Sequence, residues 1–195
     1  MDYSIERWIN GPAGSSPFWD TVMKAGANLA APVFVAVVAL WFLAGWLRRR
    51  PQDRWGAIAA LLAAGGALGI NLLISDLWYR ARPFVAHPTV HLLVSHTRDA
   101  SFPSDHAAAG FAIAAVLFSL HRRLGVVALA SAAFCSYARV YVGDHYPGDV
   151  AAGLVVGVAV AVLMLTWLRP VATLLAGWVD RLLQLVRLLP AAGPM

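Results

Sequence analysis

Long apolar blocks broken by short polar ones organise this chain. Uncharged stretches run from Ala25 to Leu47, Trp55 to Ser75, Ala107 to Leu120, Leu124 to Ala138 and Val150 to Leu168. A helix needs roughly 20 mostly apolar residues to cross the hydrocarbon core of a bilayer. The pattern therefore predicts an all-α fold, an integral-membrane helical bundle of about five transmembrane helices near 25–47, 55–77, 103–121, 124–141 and 148–168. The third and fourth apolar stretches are short by this standard. Each reaches full length only if its outer end carries polar residues into the headgroup region, which marks those residues as functional candidates. Both termini predict amphipathic segments. Residues 3–10 form a short interfacial helix ended by Asn10-Gly11-Pro12. After Pro170, the residues Thr173, Gly177, Asp180, Arg181, Gln184 and Arg187 recur at near-helical spacing opposite a Leu/Val/Trp face, predicting a surface helix over 171–189. No internal repeat or low-complexity tract divides the chain, so residues 1–195 read as a single domain.

Composition agrees with a bilayer as solvent: 60% of the 195 residues are hydrophobic and 13% are charged. The first twenty residues hold Asp2, Glu6, Arg7 and Asp20 without an uninterrupted apolar core, so no cleaved secretory signal is expected there. The net charge of +5 would suggest nucleic acid in a soluble domain, but here it records topology, and no nucleic-acid partner is expected. Arg48, Arg49, Arg50, Arg54, Arg122, Arg123, Arg169, Arg181 and Arg187, nine of the fifteen basic residues, fall on one side of the predicted bundle. By the positive-inside rule that side is cytoplasmic. The 80–103 and 139–149 loops then lie outside with five of the six histidines, His121 being the exception. Trp41, Trp46, Trp55 and Trp78 fall near span ends as aromatic anchors. Cys135, the single cysteine, sits in an apolar run and reads as a small core residue.

Three outer clusters carry chemistry. In Arg80-Ala81-Arg82-Pro83 the guanidiniums suit bidentate phosphate binding, although interfacial anchoring at a helix end fits the same residues. In Ser101-Phe102-Pro103-Ser104-Asp105-His106 the serine after Pro103 suits a helix N-cap, whose following N–H groups form an anion site with His106 at its mouth. A plain cap with a surface histidine fits equally well. In the third cluster five residues separate Arg139 from His145 and three separate His145 from Asp149. Asp149 can accept one imidazole N–H and leave the other nitrogen free to attack, or can simply open the helix after Pro147. Asp144 either tunes the charge of His145 or belongs to the turn with Gly143. His87, His91 and His96 lie in a Pro-containing loop without acidic or thiol partners at ligand spacing, so they read as solvent- or headgroup-facing and no metal site is expected.

In order and spacing, Arg82-Pro83, Pro103-Ser104-Asp105-His106 and Arg139 to His145 to Asp149 resemble the three-part signature of the type 2 phosphatidic acid phosphatase superfamily. The Ser-Phe-Pro-Ser-Asp-His form and the Arg82-Pro83-Phe84 step resemble its bacitracin-resistance type of undecaprenyl-diphosphate phosphatase. The resemblance implies that His145 attacks phosphorus, Asp149 orients it and His106 protonates the leaving oxygen. Arg82, Ser104 and Arg139 would hold phosphate oxygens, with Asp105 contributing through its backbone N–H. It implies a multi-pass protein of the bacterial cytoplasmic membrane that acts on a polyprenyl or other lipid phosphate at the outer leaflet, among membrane lipids and without a cofactor. Phosphatidic acid, phosphatidylglycerol phosphate and lipid A phosphates are alternative substrates for the same residues. A non-catalytic scaffold or transporter would have lost part of the His106, His145, Asp149 set. Three positions depart from the family pattern. Ser75 stands where the first motif usually opens with lysine, so Arg80 is a candidate replacement cation; Ala138 stands where serine is common, and Asp105 where glycine is.

Overall fold

A computed structural model describes residues 1–185. Eight helices follow in order: α1 (Asp2–Asn10), α2 (Pro17–Leu47), α3 (Pro51–Leu77), α4 (Pro83–Ala86), α5 (Asp105–Leu120), α6 (Arg122–Tyr141), α7 (Pro147–Thr166) and α8 (Arg169–Leu185). Among the described residues there is no strand, only one isolated antiparallel bridge between Ala81 and Ala100. The fold is the all-α membrane bundle that the apolar blocks predict. Four helices, α2, α3, α6 and α7, are long and apolar enough to cross a membrane, while α5 is shorter.

The reason α5 can be short lies in its position. Its 16 residues span about 24 Å, less than the hydrocarbon core, but α2, α3, α6 and α7 all pack against it. Ala107, Ala108, Phe111, Ala112, Ile113, Ala114, Val116 and Leu117 are buried along nearly its whole length. Its N-terminus thus ends inside protein rather than lipid, where polar groups find partners. Small residues permit the close approach, as is usual between helices in lipid. Gly157 of α7 meets the backbone of α5 so closely that a Cβ there would stand 2.2 Å from the Ala108 carbonyl oxygen.

The long helices begin earlier than their apolar runs suggest. Pro17 opens α2 two turns before Ala25, because Asp20 is satisfied at the rim: it accepts the Gly14 N–H at 3.1 Å and the Tyr141 hydroxyl at 3.1 Å. The segment that opens the chain is the expected short helix, α1, and it lies over the same end of the bundle. Asn10 ties it down by donating to the carbonyls of His91 and Tyr141 and accepting the His91 N–H. At the other end α8 buries Ala172 and Ala176 and joins α3 through Arg54, which grips both carboxylate oxygens of Asp180 at 2.8 and 2.7 Å. The outward residues Leu174, Trp178, Leu182 and Leu185 give α8 its apolar face; residues 186–189 of the expected surface helix, with Arg187, lie outside the described residues.

Candidate active site

Two loops and two helix ends converge at the α1 end of the bundle. Backbone at 80–82 is extended and pinned by the Ala81 to Ala100 bridge and by the Ser101 N–H on the Arg80 carbonyl. Alternate residues of an extended chain point the same way, and both Arg80 and Arg82 reach the 144–149 loop. That loop leaves α6 through Gly143 at φ 81°, a left-handed turn that suits glycine. A Cβ there would also stand 2.7 Å from Val90 Cγ1. The turn folds Asp144 and His145 back, so that both their N–H groups meet the Arg139 carbonyl. Pro147 then opens α7, and Asp149 in its first turn accepts the Tyr146 N–H at 2.9 Å, a capping contact.

His145 is buried, with a defined tautomer. Its Nδ1 lies 2.9 Å from the Ser101 carbonyl, which can only accept, so Nδ1 carries the hydrogen. Its Nε2 lies 3.2 Å from Arg82 Nη1, which can only donate, so Nε2 holds the lone pair. The direct bond expected from Asp149 to the imidazole is not there: Asp149 Oδ2 stands 3.6 Å from Nδ1. That oxygen is already engaged by the Tyr146 N–H and by the Ser101 hydroxyl, while Oδ1 pairs with Arg80 Nη1 at 2.8 Å. Asp149 therefore reaches the histidine through Ser101, whose hydroxyl it binds and whose carbonyl holds the ring. The residue pattern puts Ser101 in the motif without giving it this part, because a main-chain contact leaves no residue-type signal.

A cavity of about 440 Å³ opens beside His145, with Arg82, Arg139, His106, Asp105 and His96 in its wall. Arg82 and Arg139 are 5% and 4% exposed, so their charges face the cavity with little screening. Asp99 holds Arg82 Nε at 2.7 Å. Burial pushes the Asp99 carboxyl up, yet the hydrogen bond and charge of Arg82 outweigh it and keep it below the ordinary carboxylate range. Asp105 turns its carboxylate to Asn71 Nδ2 at 2.9 Å. Ser104 caps α5 without a side-chain cap bond, its hydroxyl buried and unpartnered.

Arg80 is placed otherwise than a substitute for the family lysine would be. It is not in the cavity wall; it bridges Asp149 and Asp2 at 2.8 and 2.6 Å and lies 3.8 Å over the Tyr146 ring. Burial lowers its proton affinity, but the hydrogen bond and charges of Asp2 and Asp149 prevail and raise it above the usual guanidinium value. Ser75, at the lysine position, does line the cavity. Of the loop histidines, His87 stacks on Tyr3 at 3.6 Å and His91 Nδ1 contacts the Ala13 carbonyl at 2.7 Å. His96, read from sequence as facing solvent or headgroups, stands in the cavity wall 3.6 Å from Asp99. Among the described residues no group of three or more His, Cys, Asp or Glu is arranged to hold a metal ion.

A second cavity, about 410 Å³ and almost wholly apolar, runs between α2, α3 and α5 along Ala30, Phe34, Leu61, Ala64, Leu68 and Ile113. It shares Asp105 and His106 with the first. A polar chamber of arginine and histidine at one end of the bundle thus adjoins a groove fit for hydrocarbon that runs towards the middle of α2, α3 and α5.

These features define a helical membrane protein with an anion site joined to an apolar groove. The PAP2 superfamily matches residues 55–172, and the chain belongs to that superfamily as a membrane phosphatase. It is 35% identical over 173 residues to undecaprenyl-diphosphatase BcrC of Bacillus subtilis, covering 87% of each chain. LpxE of Aquifex aeolicus has the same fold, with a TM-score of 0.71, 24% identity and coverage of 85% of this chain and 95% of that one. The PAP2 type phosphatidylglycerolphosphate phosphatase of Bacillus subtilis superposes with a TM-score of 0.65 at 25% identity, covering 84% and 82%.

Proposed function

We propose that this protein releases inorganic phosphate from undecaprenyl diphosphate at the outer leaflet of a bacterial cytoplasmic membrane, through a phosphohistidine on His145. The observation that carries this reading is the junction at Asp105 and His106, where the arginine-lined chamber meets the apolar groove. A diphosphate enters the chamber while the first part of its hydrocarbon tail lies along α2, α3 and α5. Arg82 and Arg139 neutralise the phosphate oxygens, work that phosphoryl transfer demands above all. His145 Nε2 attacks the terminal phosphorus as the bond to the bridging oxygen breaks, and His106 supplies the proton that the leaving lipid phosphate takes up. Water then attacks the phosphohistidine, giving a proton back to His106 as the N–P bond breaks, and inorganic phosphate leaves. Arg80, Asp149 and Ser101 hold the imidazole in place throughout.

Orientation follows from charge. Arg48, Arg49, Arg50, Arg54, Arg122, Arg123, Arg169 and Arg181 belong to the helix ends away from this chamber, and a cytoplasmic location for them directs the chamber outward. The test is phosphate release in detergent from undecaprenyl diphosphate beside phosphatidic acid and phosphatidylglycerol phosphate. The diphosphate should turn over fastest. Faster turnover of phosphatidylglycerol phosphate would favour the second reading, which the likeness to the phosphatidylglycerolphosphate phosphatase supports.

A further inference from the structure

Asp144 has no part in the catalytic steps above, yet like Asp149 it is a wholly enclosed carboxylate beside His145. It is fully buried, with Oδ1 3.0 Å from Arg82 Nη1 and Oδ2 in contact with Arg139 Nη2. Its main-chain oxygen takes a further hydrogen bond from Arg82 Nη1 at 3.2 Å. Oδ2 also stands 3.5 Å from His145 Nε2, and Oδ1 3.7 Å from His96 Nδ1. Arg82, Arg139, His145 and His96 form the chamber wall, and Asp144 lies behind them. We propose that Asp144 is the internal counter-anion of the phosphate cradle: it aligns both arginines from behind and, by its charge, keeps the chamber from retaining inorganic phosphate.

The physical case is one of balance, and it rests on the phosphatase reading given above. Two buried guanidiniums stay charged whatever their surroundings. Without a nearby carboxylate they would bind a phosphate dianion tightly, before and after reaction alike. Tight binding of product slows turnover, since uniform binding adds nothing to the chemical step. The Asp144 carboxylate offsets one of the two charges, and no solvent screens it. The exposed Asp99 is a weaker counterweight, because water shares its field. Asp144 is thus a positioning residue whose charge, as well as its shape, acts on the site.

The two roles separate by sign. A residue that only braced the arginines would, once removed, leave them disordered and weaken phosphate binding. A counter-anion, once neutralised with its shape retained, strengthens it. Asp144→Asn should lower the inhibition constant of inorganic phosphate at least about tenfold, from the loss of one unscreened charge a few ångströms away, and should reduce kcat as product release slows. Asp144→Ser serves as the second neutral variant where Asn does not fold. Asp144→Glu keeps the charge and should leave phosphate inhibition within about threefold of wild type. An unchanged or weakened affinity for phosphate in either folded neutral variant overturns the proposal. If no neutral variant folds, a tenfold weakening in Asp144→Glu does the same. Wild-type protein that releases no phosphate from any of the lipids refutes the phosphatase reading itself, a failure visible before any variant is compared.

Discussion

At the residue scale the imidazole of His145 is the proposed reacting group, and its neighbours do unequal work. His145→Ala should lower phosphate release by about a thousandfold or more, as loss of a covalent nucleophile does; near wild-type turnover would remove it from the mechanism. Arg80 separates two readings. Tied to Asp149 and Asp2, it should act on the orientation of His145, so Arg80→Ala should lower kcat about 10- to 100-fold, the scale of a lost outer partner, with KM little changed. A raised KM at unchanged kcat would return Arg80 to the substrate, as the sequence suggests. Residue types and spacing were enough to single out Arg82, His106, Arg139 and His145, all of which line one chamber. Ser101, Asp144 and His96 were not legible in the same way. Their parts depend on a carbonyl, on burial behind two arginines, and on the path of a loop, none of which a residue-type pattern encodes.

At the scale of elements, two contacts govern the site. The first is the close packing of α7 on α5. Gly157→Ala would bring a methyl group against the α5 backbone and should destabilise the protein by ~1–3 kcal/mol. It should also lower activity, since α5 carries His106. Gly69→Ala, where a Cβ meets nothing within 4 Å, should neither destabilise the protein nor lower activity; melting in detergent together with activity checks both. The second is α1. Burial, helped by the Asp2 carboxylate, raises Glu6 from 4.5 to about 7, and neither of its oxygens has a hydrogen-bond partner. Between those values the folded protein holds a proton that the unfolded chain has lost, so this group lowers stability as pH rises from about 4.5 to about 7. Glu6→Gln should match wild type in melting temperature at pH 4.5 and exceed it at pH 8; equal values at pH 8 would contradict the assignment. The apolar blocks announced the long helices because a membrane span is a composition signal. They misjudge the helix ends beside α1, where Asp20 is satisfied by tertiary partners. The modest length of α5 makes sense only once its helical neighbours are known.

At the scale of the whole molecule, the claim is that three stretches distant in sequence meet at one rim of a membrane bundle and perform phosphoryl transfer there with protein cations. Arg82 and Arg139 supply the neutralising charge in that scheme, so a chelator should leave the rate of phosphate release unchanged, and loss of activity restored by a divalent ion would contradict it. The bundle and the family were legible from the chain alone, because hydropathy fixes the one and motif spacing the other. The joining of polar chamber to apolar groove was not, since α2 and α3 bring to it residues such as Phe34 and Leu61 that carry no motif. The most direct test of the central claim is covalent trapping. Protein mixed with undecaprenyl diphosphate labelled in its terminal phosphate, then quenched in alkali, should carry an alkali-stable, acid-labile phosphoryl group that maps to His145 and is absent from His145→Ala. Wild-type protein that turns over the lipid without ever carrying label on His145, or a His145→Ala variant that still does so at the wild-type rate, would contradict it.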